Sequence, residues 1–175
     1  MRRLTDAERL RAFLQALARA TDAACRLYLT GGGTAVLLGW RPTTIDVDVK
    51  LVPEPDALLR AIARLKDELE INVELASPAD FIPELPGWED RSLFIMQEGK
   101  LAVFHYDLYA QALAKIERGH AQDMTDVREM LGRGLVERAR LLELFGRIEP
   151  ELHRYPALDP RGFRRAVEDA LRVVS

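Results

Sequence analysis

The chain of 175 residues is 48% hydrophobic and 30% charged, with a formal net charge of -3. That length suits one globular domain with a core, or a domain with a helical annex, and that hydrophobic share excludes a disordered chain. The negative balance excludes a globally basic nucleic-acid binder and leaves room only for a local basic patch. A single cysteine, Cys25, excludes an internal disulfide and, among apolar neighbours, reads as a buried thiol in a reducing compartment. The opening Met1-Arg2-Arg3-Leu4-Thr5-Asp6 lacks the apolar stretch of a signal peptide, and no apolar run reaches membrane-spanning length. A cytoplasmic protein without a membrane partner is expected.

Residues 5 to 24 predict a helix, with Leu10, Phe13, Leu14, Leu17 and Ala18 at helical spacing and Thr5 with Glu8 as a capping box. Arg26 to Thr30 reads as a short buried strand, followed by three glycines and a short helix over Thr34 to Leu38. Arg41-Pro42-Thr43-Thr44 is a breaker. Ile45 to Leu51 alternates apolar and polar residues and predicts a strand with one buried face. Pro53 and Pro55 open a helix whose apolar face carries Leu58, Leu59, Ile62 and Leu65. Ile71 to Leu75 is a third strand, and Pro78 to Asp90, with its three prolines, reads as a long loop. Residues 92–97 and 101–106 flank Gly99 and predict a hairpin. Helical segments follow near 108–119, 122–132, 135–146 and 160–173. The order argues for an α/β fold, a mixed sheet flanked by helices with a C-terminal helical part. We expect residues 1–107 to form the α/β core and residues 108–175 the helical part.

Asp46-Val47-Asp48-Val49 carries the most chemistry. Side chains two apart on a strand share a face, so Asp46 and Asp48 project together while Ile45, Val47 and Val49 project oppositely. Two carboxylates on one face repel unless a positive charge lies between them, and a hard cation such as Mg²⁺ or Mn²⁺ meets that need. Taken alone, such a pair also fits an edge strand with solvated acids. Thr30-Gly31-Gly32-Gly33-Thr34 joins a strand to a helix, where glycines permit a sharp turn and close approach of an anion to the amides. The run is neither the dinucleotide fingerprint nor the Walker A pattern. By itself it is a tight turn.

Together the two motifs are more specific. Gly32-Gly33, then twelve residues from Thr34 to Ile45, then Asp46-Val47-Asp48-Val49 resembles the signature of the DNA polymerase β-like nucleotidyltransferase superfamily. That family often places serine after the first glycine. Here Gly33 stands there, with Thr30 and Thr34 as substitute hydroxyls. The resemblance implies a nucleotidyltransferase-like sheet, metal on Asp46 and Asp48, and a triphosphate at the glycine turn. It also implies a third carboxylate from a neighbouring strand, for which Glu74 is chosen over Asp107.

Downstream, Lys115, Arg118, Gly119, Asp123 and Asp126 form a Lys…Arg-Gly…Asp-x-x-Asp arrangement. Lys115 and Arg118 lie one helical turn apart, and Asp123 and Asp126 open the next helix, where capping and surface charge also account for acids. This arrangement resembles the AbiEii-like toxin branch of the superfamily, over roughly residues 27 to 130. The resemblance implies a phosphate contact for Lys115 and completion of the site by Asp123. It implies NTP as substrate, an RNA, protein or small-molecule acceptor, and an antitoxin or toxin partner. The alternative is a non-catalytic nucleotide- or partner-binding protein on the same fold.

Other residues read as structural. His105, His120 and His153 lack metal-ligand spacing. Trp40 and Trp88 suit packing better than base stacking. Arg161, Arg164, Arg165 and Arg172, interrupted by Glu168 and Asp169, suit a solvated face better than an RNA contact.

Overall fold

The computed structural model describes residues 3–172. Met1 and Arg2 of the charged opening and Val173 of the expected last helix lie outside the described residues. The chain divides into two compact units, residues 1–77 with 92–106, and residues 78–91 with 107–175.

The first unit runs β1 (Thr5–Asp6), α1 (Ala7–Arg19), β2 (Cys25–Thr30), α2 (Gly32–Leu38), β3 (Thr43–Thr44), β4 (Asp46–Val52), α3 (Asp56–Glu68) and β5 (Asn72–Leu75). In the second unit, α4 (Trp88–Arg91) precedes the return of the chain to the first unit as β6 (Leu93–Glu98) and β7 (Leu101–His105). Five strands make one mixed sheet in the order β5-β4-β2-β7-β6. The pair β2–β4 is antiparallel, β4–β5 and β2–β7 are parallel, and β6–β7 is the expected hairpin. The α/β reading with a C-terminal helical part therefore holds.

One face of this sheet carries the core. Leu27 and Leu29 of β2, Val47, Val49 and Leu51 of β4, and Leu101 and Val103 of β7 pack against Leu10, Phe13, Leu14 and Leu17 of α1 and Leu58, Ala61, Ile62 and Leu65 of α3. Both helices show the apolar stripe of an amphipathic helix, and each buries it. The opposite face receives the alternate residues of β4, namely Asp46, Asp48 and Lys50, all half-buried.

Several boundaries differ from expectation for identifiable reasons. The first helix is capped by Asp6, whose carboxylate accepts from the Arg9 amide at 2.8 Å, rather than by a Thr5–Glu8 box. Thr5 is instead extended and pairs with Thr44 across β1–β3. The same helix stops at Arg19, well short of residue 24, and the Thr21 hydroxyl donates to the Leu17 carbonyl, which also accepts the Ala20 amide. Ile45 is 70% exposed rather than on the buried face, because β4 begins only at Asp46. Gly32 and Gly33 are helical, so the short helix starts before Thr34 and the turn proper is Gly31 alone. The stretch expected as a loop contains a 3-10 turn at Pro78–Asp80 and the helical turn α4.

The second unit is helical: α4, then α5 (Leu108–Arg118), α6 (Ala121–Gly132), α7 (Arg138–Ile148), a 3-10 segment at Glu149–Arg154, and α8 (Pro160–Ala170). Its apolar interior includes Leu113, Ile116, Val127, Met130, Leu141, Leu144, Phe145, Phe163 and Val167. Among the described residues, no helix is long and apolar enough to cross a membrane.

The end of β7 is tied to α2 through a buried polar pair. Thr34 Oγ1 donates to the Leu29 carbonyl at 3.2 Å, so it accepts from His105 Nδ1 at 3.0 Å. Burial lowers the His105 pKa from 6.5 to about 4, so the folded protein holds this ring neutral. The unfolded chain takes up the proton first as pH falls. Stability is therefore complete above pH 6.5 and is lost progressively as pH falls toward 4. Between pH 7 and pH 5 this group is expected to remove about 2 kcal/mol of unfolding free energy in urea titrations. His105→Gln is expected to flatten that dependence, and an unchanged slope would refute the assignment.

Candidate active site

The site is built on the second sheet face, at the junction of β2, α2 and β4. Backbone pairing aligns Thr30 with Asp48, and Asp48 with Glu74, so one residue from each of β2, β4 and β5 forms a row across the sheet. Asp46 is paired in the same way with Asn72, whose side-chain amide donates to Asp46 Oδ1. Asp46, Asp48 and Glu74 thus share a face, the first two half-buried and Glu74 exposed. This arrangement puts three oxygen-donor acids along one sheet face, a set that a hard cation such as Mg²⁺ suits.

Gly31 brings the bend against these acids. Its φ of +66° is a left-handed value that glycine adopts without strain, and a Cβ there would lie 3.0 Å from Asp48 Oδ2. Gly32 is required for a different reason, since its Cβ would lie 2.0 Å from Thr44 Oγ1. A Cβ on Gly33 would press on the Leu29 side chain at 2.8 Å, so this glycine seats α2 on β2. The three consecutive glycines therefore do three jobs: turning, admitting the Thr44 side chain of β3, and packing. Of the two threonines expected to supply a hydroxyl, Thr30 stands beside Asp48 in the row. The Thr34 hydroxyl is fully buried and committed to Leu29 and His105.

Asp107, the competing third acid, is fully buried, caps α5 through the Tyr109 amide and is held by Arg91 at 2.7 Å. Burial raises its pKa, against the opposing pull of Arg91 and the Tyr109 and Ala110 amides. Glu74 is the acid aligned with Asp48. Asn72 against Asp46, and Thr44 and Arg41 against Gly32, are neighbours that the sequence motifs do not point to. Asn72 was readable from the alternation that placed Glu74, whereas the other two depend on how residues 39–45 fold back over α2.

Residues matching along 8–152 place most of this chain in a family described as nucleotidyltransferase of unknown function (DUF6036). The chain belongs to that family. No curated protein and no solved structure matches it. DUF6036 membership agrees with the nucleotidyltransferase resemblance of the glycine and Asp-x-Asp motifs.

Magnesium fits the donors of this DUF6036 chain. Among the described residues no three side chains of His, Cys, Asp or Glu converge to enclose a metal. Magnesium does not need such a cage, because it keeps waters and is held by one or two carboxylates with the substrate's phosphates. Two oxygen-donor acids beside an open bend suit that requirement, and soft ligands are absent from the row.

Lys115, Asp123, Arg118 and Asp126 assemble within the helical unit. Lys115 Nζ donates to Asp126 Oδ2 at 2.8 Å and lies 3.7 Å from Asp123 Oδ1, while Arg118 Nε donates to Asp123 Oδ2 at 2.8 Å. Asp123 also accepts from the His120 amide, closing a capping box at the start of α6. Both aspartates are buried rather than surface charges. Burial pushes the Asp123 carboxyl up, but Arg118, Lys115 and the His120 amide together hold it below the usual value. The network pins α5 to α6 across the Gly119 turn. Lys115→Met is expected to lower stability by about 3–5 kcal/mol, since a buried ion pair loses one partner. Lys115→Met/Asp126→Leu is expected to recover most of that loss in urea unfolding. Equal stability of all three proteins would show that the network carries none of the packing.

Proposed function

We propose that this DUF6036 chain is a magnesium-dependent nucleotidyltransferase that moves an NMP from an NTP to a hydroxyl of an RNA, protein or small-molecule acceptor. The observation that carries the reading is the placement of Asp48 Oδ2 against the Gly31 bend, with Asp46 and Glu74 on the same face. Asp46 and Asp48 hold the metal, and Asn72 fixes the orientation of Asp46 through its amide. Bound Mg²⁺ (or Mn²⁺) supplies charge neutralisation between the acids and the phosphates. Thr30 and the backbone of the Gly31 bend border the phosphates, with Asp48 Oδ2 beside Gly31.

In the transfer, the acceptor oxygen bonds to the α-phosphorus and the bond from that phosphorus to the bridging oxygen breaks, releasing pyrophosphate. The hydroxyl proton passes to Glu74 or to solvent beside it. Most of the rate enhancement in such chemistry is positioning and electrostatic stabilisation, which suits acids fixed on strands rather than on loops. The phosphate contact that the resemblance implies for Lys115 would need that amine to give up its bond to Asp126. Asp123, to which the resemblance gives a part in completing the site, is bonded to Arg118. An AbiEii-like role, with an antitoxin or toxin partner in the cytoplasm, is the finer form of the proposal.

The exposure of Glu74 and the carboxylate partners of Lys115 favour one second reading, a nucleotide-binding protein without turnover. Incubation with each radiolabelled NTP, Mg²⁺ and total RNA or lysate separates the two. Transfer of label to an acceptor, reduced about a hundredfold or more by Asp46→Ala or Asp48→Ala, is the expected outcome. Nucleotide binding with no label transferred under any condition would favour the binding protein.

A further inference from the structure

We propose that Arg41 is the phosphate-facing cation of the glycine bend, a substrate-contacting residue that recognises the β- and γ-phosphates of the NTP. The inference rests on the nucleotidyl-transfer reading and names the group that would meet the anionic half of its substrate.

A Cβ on Gly32 would stand 3.2 Å from Arg41 Nη1, just as one on Gly31 would stand 3.0 Å from Asp48 Oδ2. Two successive glycines are therefore flanked, one by a carboxylate and the next by a guanidinium. A metal–triphosphate presents both signs of charge, a cation that needs oxygen ligands and phosphate oxygens that need donors. The bend offers a partner for each. A guanidinium suits phosphate because its planar N–H groups bond two oxygens at once and remain charged at any working pH.

The local fold explains why Arg41 reaches this place. The Ala35 carbonyl accepts the amides of Gly39, Trp40 and Arg41, so the chain wraps tightly around the end of α2. Thr44 then passes against Gly32, with its hydroxyl donating to the Asp46 carbonyl at 2.9 Å. The segment between the glycines and the acidic pair thus folds back on the bend and presents Arg41 there. The helix α2 has only two turns and is too short to lend much dipole, so a positive side chain is what the bend has to offer an anion.

Titration calorimetry in Mg²⁺ tests this with the four NTPs, their monophosphates and inorganic tripolyphosphate as probes. Arg41→Met is expected to weaken NTP and tripolyphosphate binding roughly ten- to hundredfold, the effect of one charged hydrogen-bond donor. Monophosphate binding should change less than threefold, and Arg41→Lys should restore part of the loss. Unchanged NTP binding in folded Arg41→Met, or equal weakening of mono- and triphosphate, overturns the role of Arg41 and leaves nucleotidyl transfer standing. Wild-type protein that binds tripolyphosphate through Arg41 but no nucleotide overturns nucleotidyl transfer and keeps the anion site. Binding of neither overturns both.

Discussion

Strand alternation forces the acids of β4 onto one sheet face, and this protein sets that face beside the left-handed bend at Gly31. Asp48 lies opposite Glu74, Asp46 lies two residues along the same face, and Asn72 holds Asp46 in place. The other face of β4 is a dry surface of Val47, Val49 and Leu51 against α1 and α3. A one-residue slip of β4 would bury the acids and expose the valines, so the hydrophobic core itself fixes where the carboxylates point. The chemistry of the site is thus secured by burial on the far side of the sheet.

The alternation of Ile45 to Leu51 made the Asp46–Asp48 face legible in the sequence, because period-two patterning encodes strand faces directly. It could not show where pairing begins, and Ile45 lies exposed because Thr44 is drawn into the small ladder with Thr5. That same pairing took Thr5 away from capping α1 and left the task to Asp6. A glycine run signals a turn, but not how its members divide the work. Only contacts with Asp48, Thr44 and Leu29 separate Gly31, Gly32 and Gly33. Arg41 had no local signal at all, since its relation to Gly32 arises from the wrapping of residues 39–45 around α2.

The helical unit shows a second use of charge. Lys115 and Arg118, expected to face one site because they sit one turn apart, do converge, on Asp123. Their partners are buried carboxylates, which gives the Lys…Arg-Gly…Asp-x-x-Asp pattern a structural task in joining α5 to α6. The DUF6036 nucleotidyltransferase family match spans residues 8–152, a stretch that includes both β4 and this helical pair.

The central claim is that the acidic face and the glycine bend jointly hold a metal–triphosphate. Crystals grown with Mn²⁺ and a non-hydrolysable NTP test it most directly, because manganese scatters anomalously and marks its own position. The expected anomalous peak lies in coordination contact with Asp46 and Asp48, with the triphosphate running past Gly31. A peak on other ligands, or a nucleotide bound away from that bend, would contradict it.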